Sequence, residues 1–134
     1  MEIAAISRGV KTSPRKVRLV ADSIRGLSLR QAINALSVVQ KIGATALTNT
    51  LESALSNAIN NAKKNEGDLF VKSIEIFEGP AIKRFHFSTR GRVHPYKKRT
   101  SHIKIVLTDD GKSNKSKSKA ESSLMKGEEH GTKS

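Results

Sequence analysis

Between Gly79 and Thr108 the chain carries Lys83, Arg84, Arg90, Arg92, Lys97, Lys98, Arg99 and Lys104, three histidines and no carboxylate at all. Nothing inside the stretch can neutralise it. Its edges are strand-like: residues 69–78 (LFVKSIEIFE) and 101–108 (SHIKIVLT) are rich in β-branched and aromatic types with near-alternating polarity. The middle holds the turn signal Ser88-Thr89-Arg90-Gly91-Arg92. The pattern predicts a hairpin in which Pro80 to Thr100 pairs about Arg90-Gly91. With roughly ten residues per arm and about 3.3 Å per residue, its tip would stand about 30 Å from its base, the width of a small domain.

A two-stranded ribbon projecting alone is marginal in water, because neither face is covered and both edges are open. It needs a partner to order it. Cations without anions point to a polyanion, with Phe85, Phe87 and Tyr96 interleaved as flat apolar surfaces able to stack on bases or pack in a groove. The plainer reading is a solvated basic loop with core aromatics, but solvated faces usually mix both charge signs.

The composition agrees. The 134 residues hold 25 Lys and Arg against 12 Asp and Glu, a net charge of +13, enough length for one domain and at most a tail. Residues 109–134 contribute only +1 and the preceding 108 contribute +12, so the charge belongs to the folded part. With no Cys there is neither a disulfide framework nor a thiolate zinc site. No apolar run approaches the roughly 18 residues of a membrane span, and no signal peptide is visible. The chain is therefore expected to be soluble and cytoplasmic, without a membrane partner. Aromatics are 4% and Trp is absent, so Ile, Val, Leu and Ala must build a small core.

Residues 2–8 (EIAAISR) read as a strand with Ile3 and Ile6 facing the core. Ser13-Pro14 marks a helix start, Ser13 capping the amides and Pro14 taking the first helical position. Val17, Val20, Ala21 and Ile24 then recur at the spacing of one buried face, and Gly26 closes the helix. Ser28 and Gln31 have capping-box spacing and open a second helix to about Val38, burying Leu29, Ala32, Ile33 and Leu36. A third, Ala-rich helix runs from about Ile42 to Asn65, with Ala44, Leu47, Leu51, Ala54, Leu55, Ala58 and Ala62 down one side. Its small side chains allow close packing. Gly79-Pro80 should bend the chain where the following strand leaves the domain. Residues 110–134 collapse into Gly, Ser, Lys and Glu and read as a disordered low-complexity tail.

Catalysis is not expected. His86, His94 and His102 are evenly spaced, but a hairpin would place them at different heights, and no acidic cluster stands by to hold a metal. No Ser sits in a glycine-flanked elbow, and no phosphate loop ends in Gly-Lys-Ser/Thr. The histidines, like Tyr96, read as polar or stacking contacts to nucleic acid. No cofactor is implied. Two basic surfaces remain, the ribbon and the first helix with its lead-in: Arg8, Lys11, Arg15, Lys16, Arg18, Arg25 and Arg30. Arg90 and Arg92, as planar forks, suit tight shaped contacts, whereas Lys97 and Lys98 suit diffuse neutralisation of phosphate.

SPRKVRLVADSIRG at 13–26, LESALSNAINNA at 51–62, and IFEGPAIKRFHF with RGRVHPYKKRTSHIKIVL between Ile76 and Leu107 resemble the large-subunit ribosomal protein L-twenty-two family in its bacterial form. The resemblance covers essentially residues 1–109. It implies an α+β fold, three helices packed on a small three-stranded antiparallel sheet, with a long protruding β-hairpin at about 80–100. It also implies a structural, non-enzymatic protein of the large ribosomal subunit that binds 23S ribosomal RNA, bridges its domains during assembly and adjoins neighbouring ribosomal proteins. The family's hairpin tip lines the tunnel through which the nascent peptide leaves. Carried over by position, Ser13, Arg15, Lys16 and Arg18 match the RNA-facing first helix, and Lys83 and Arg84 the outgoing arm. Ser88, Thr89, Arg90, Gly91, Arg92 and Val93 form the tip, and Lys98, Arg99, Thr100, Ser101 and His102 the return. Phe87-Ser88-Thr89 stands where relatives commonly show Pro-Arg-Ala, and Val93-His94-Pro95 replaces an Ala-led sequence. From composition alone, an architectural DNA-binding protein with basic β-arms is the alternative.

Overall fold

The computed structural model describes residues 1–109; the expected disordered tail at 110–134 lies outside them. In order the chain forms β1 (Glu2–Val10), α1 (Pro14–Asp22), α2 (Leu29–Val38), α3 (Ile42–Ala62), β2 (Phe70–Glu78), β3 (Ile82–Phe87), β4 (Val93–Lys98) and β5 (Ser101–Thr108). This is the expected α+β architecture. An antiparallel sheet of order β1-β5-β2 packs against the helices, and β3 pairs with β4 in a separate two-stranded sheet.

The last strand in the chain is the middle strand in space. Because β5 pairs with β1 on one side and β2 on the other, Ile103, Ile105 and Leu107 are fully buried. α3 lies across β1 and β5, sinking Ala44, Leu47, Leu51, Ala54 and Ala58, while Leu55 is only partly covered. Three of those five buried side chains are alanines, short enough to bring the helix close, which helps a core with so few aromatics to close.

Local sequence signals set most boundaries, with physical exceptions. The capping box of α2 is complete: the Gln31 amide donates to Ser28 Oγ at 3.4 Å and the Ser28 amide to Gln31 Oε1 at 3.3 Å. Ser13 does occupy the N-cap of α1, yet its hydroxyl makes no capping bond; only its carbonyl joins the helix, accepting from Lys16 and Val17. α1 ends at Asp22, short of Gly26, because the Ser23 hydroxyl turns back onto the Val20 carbonyl at 2.6 Å. The chain then crosses a turn that buries Ile24 and needs positive φ (79°) at Gly26. α3 stops at Ala62 without glycine: Lys63 takes the left-handed conformation and the Lys64 amide donates to the Ala58 carbonyl. Ile6 does not join the core. Strand alternation turns Ile3 and Ala5 inward, leaving Ile6 55% exposed on the other face.

β2 is an edge strand, and edges must be covered. Two arginines of the first helical segment do this: the Arg18 guanidinium donates to the Ile76 carbonyl at 3.0 Å, and that of Arg25 to the Ile74 carbonyl at 3.4 Å. Arg18→Met keeps the apolar stem and removes the donor. It is expected to cost about 1 kcal/mol, at the modest end for a charged hydrogen bond because the site is partly solvated, and urea unfolding should show it.

At the far end of the sheet, Asp109 pairs with the N-terminal ammonium at 2.7 Å and with Lys64 at 2.9 Å. The hydrogen bond from the ammonium, then that from Lys64, holds its carboxyl far below the usual carboxylate range. A depressed folded-state pKa stabilises the fold above the unfolded value and is lost only as pH falls through the depressed one. Mild acid therefore leaves this clasp intact.

Candidate nucleic-acid interface

The ribbon is joined to the sheet by a break in register. Glu78 pairs with Ser101 in the sheet, whereas Ile82 pairs with Lys98 in the ribbon, so the pairing slips by one residue between them. The joint is pinned by the Gly79 amide donating to the Thr100 carbonyl at 2.9 Å and the Thr100 hydroxyl donating to the Pro80 carbonyl at 2.8 Å. A Cβ on Gly79 would run into that hydroxyl and come within 3.2 Å of the Thr100 carbonyl carbon, so glycine is required by close approach.

Beyond the joint the arms are shorter than the sequence suggested. The ladder runs from Ile82–Lys98 to Phe87–Val93, six residues per strand, or about 20 Å at 3.3 Å per residue. Pairing is centred on Arg90. The Ser88 amide closes the loop onto the Arg92 carbonyl at 2.8 Å, over a 3-10 turn at Thr89–Gly91. Arg90 and Gly91 both hold positive φ, 61° and 70°. Every residue from 81 to 99 is exposed.

Among the described residues, no carboxylate pairs with Lys83, Arg84, Arg90, Arg92, Lys97, Lys98 or Arg99. Lys104 is different: β2 reaches across the sheet to neutralise it through Glu75 at 3.0 Å. The acid-free stretch is thus free of ion pairs only where it leaves the sheet.

The structure also brings the two basic surfaces together. Arg99, at the ribbon's root, lines a hollow of about 500 Å³ with Lys11, Ser13 and Lys16 from the start of α1 and Lys41 from the start of α3. Lys11 faces a second hollow of about 140 Å³ with Arg84, Lys98 and Arg99. Lys41 was not singled out from sequence; its signal was a cation just before a helix with no acid in its first turn. Arg8, Arg15 and Lys16 are exposed as expected.

Other expected contact residues are placed elsewhere. Thr100 is buried with its hydroxyl donated to the Pro80 carbonyl, leaving only a small edge on the hollow beside Arg99, and Ser101 is fully buried. Arg18 and Arg25 face the sheet edge, as described. His102 sits in β5 and accepts the Gly9 amide at Nδ1, 3.0 Å away. His86 and His94 are direct cross-strand partners, at one height and not two, because the ladder is centred on Arg90. No group of three or more metal-ligating side chains occurs among the described residues, and no helix there is long and apolar enough to cross a membrane.

The small mixed domain carries a cationic ribbon that no carboxylate neutralises among the described residues, the charge pattern of a protein that meets a polyanion. The family model described as "Ribosomal protein L22p/L17e" matches residues 5–108. The chain is 51% identical to the large ribosomal subunit protein uL22 of Thermus thermophilus over 107 residues, 80% of this chain and 95% of that one. It is 44% identical to the uL22 protein of Akkermansia muciniphila over 109 residues, 81% of this chain and 97% of that one. The chain belongs to the ribosomal protein L22p/L17e family and is a structural, non-enzymatic protein.

Proposed function

We propose that residues 1–109 form a domain of the large ribosomal subunit that binds 23S ribosomal RNA and bridges separate RNA segments as the subunit assembles. The observation that carries this is the set of ribbon cations with no carboxylate partner among the described residues, on a ribbon exposed on both faces. Such a ribbon is held in shape by what surrounds it, and RNA supplies both the charge and the walls. The hollow shared by Lys11, Lys16, Lys41 and Arg99 continues this surface onto the domain, so one protein can grip RNA at two places. By family resemblance, the tip at Ser88–Val93 lines the exit tunnel and meets the nascent peptide.

Competition tests the reading. Labelled 23S ribosomal RNA bound to the full chain should be displaced by unlabelled 23S RNA and hardly at all by excess duplex DNA. Equal displacement by duplex would favour a DNA-binding β-arm instead, and sedimentation free of large subunits would reject the ribosomal role.

A further inference from the structure

The ribbon has two chemically different faces. Side chains alternate across a strand, so the register puts Phe85, Pro95, Phe87 and Val93 on one face, with the Lys83–Lys97 pair nearer the root. Arg84, Tyr96, His86 and His94 occupy the other. From the Ser88–Arg92 hydrogen bond the ladder alternates, which places Phe85–Pro95 and Phe87–Val93 at non-hydrogen-bonded positions. There Pro95 loses nothing by lacking an amide hydrogen, and cross-strand side chains stand closest. An unbroken apolar platform results. Yet Phe85 is 68% exposed and Phe87 is 77% exposed, and neither joins or packs against the hydrophobic core.

We propose that this face is a stacking platform for unpaired nucleobases of RNA, with Lys83 and Lys97 taking the phosphates of the same strand. The inference rests on the RNA-binding reading above and specifies what the RNA must offer: single-stranded or looped-out nucleotides and not helix backbone alone. Charge decides between occupants. An apolar protein surface would cover the phenylalanines but would gain nothing from the adjacent unpaired lysines, whereas a nucleotide carries a flat base and an anion together. Same-face residues two apart in a strand lie about 6.6 Å from each other, so Phe85 and Phe87 can each engage a separate ring.

The test compares two RNAs of equal phosphate number, one an unstructured oligonucleotide and one with abasic sites at its centre, binding to the full chain. The abasic RNA should bind at least tenfold more weakly. Phe85→Leu with Phe87→Leu keeps the faces apolar but removes the rings. That double variant should lose about tenfold or more in affinity for the base-bearing RNA and almost nothing for the abasic one. Tyr96 is the sole Tyr in a chain without Trp. Because it lies on the opposite face, its fluorescence should be quenched far less than a Phe87→Trp reporter when the base-bearing RNA binds. Equal affinity for both RNAs, or stronger quenching at Tyr96 than at the Trp reporter, overturns the platform while leaving RNA binding intact. Absence of binding to either RNA rejects the underlying reading as well.

Discussion

Raising monovalent salt from about 50 to about 200 mM is expected to weaken binding of the chain to 23S ribosomal RNA by about a thousandfold or more. Each phosphate contact releases condensed counterions, and the free energy of that release shrinks as bulk salt rises. The size of the effect follows from the ribbon, where Lys83, Arg84, Arg90, Arg92, Lys97, Lys98 and Arg99 have, among the described residues, no carboxylate to leave behind before they meet RNA. Lys97→Ala with Lys98→Ala should each remove about one unit from the slope of log K against log salt. Filter binding across a salt series measures this. A change of less than tenfold would mean that the ribbon's charges do not touch phosphate.

The second large effect is on stability, and it is expected far from the ribbon. Ile105 is fully buried in the central strand, between β1 and β2 and under α3. Ile105→Ala should therefore cost about 2–5 kcal/mol through lost burial and an unfilled cavity, which lowers the melting temperature by roughly 10 °C or more in a domain of this size. Arg90→Ala with Arg92→Ala should leave the melting temperature within about 2 °C, since surface changes away from packed features cost little. Thermal unfolding of the three proteins side by side decides it. If the tip double variant melts as early as the core variant, the ribbon contributes to the fold and is not the independent arm described here.

These two predictions separate binding from folding because the chain separates them. The core is made by one face of β5, the inward residues of β1 and β2, and the apolar stripes of three helices. The ribbon adds no residue to that core. Its order in isolation rests on one short ladder and the joint at Gly79, Pro80 and Thr100. A phenylalanine pair facing water is a poor device for stability and a serviceable one for recognition.

Much of this was readable along the chain. The helix stripes, the capping box at Ser28, the strands at 69–78 and 101–108 and the turn about Arg90 are all local patterns, with a period of 3.6 or 2 that packing then honours. The ribbon ladder is shorter than the charge run and turn signal suggest, because the pairing slips by one residue between Glu78–Ser101 and Ile82–Lys98, and local sequence carries no sign of that slip. Arg25 reads as an RNA contact from its charge, and Arg18 from its charge and its position in the family resemblance. Nothing local in the sequence says that an edge strand's carbonyls wait opposite them.

Spacing and charge by themselves determined that this protein would have a small aliphatic core and a cationic hairpin without acids of its own, since periodicity and composition act at short range. Only the tertiary structure decided which cations stay unpaired, that Ser101 lies inside, that Lys41 and Arg99 meet across a hollow, and which aromatics share a face. Those outcomes depend on strand order and register, which join residues distant along the chain and are fixed by the packing of the whole domain.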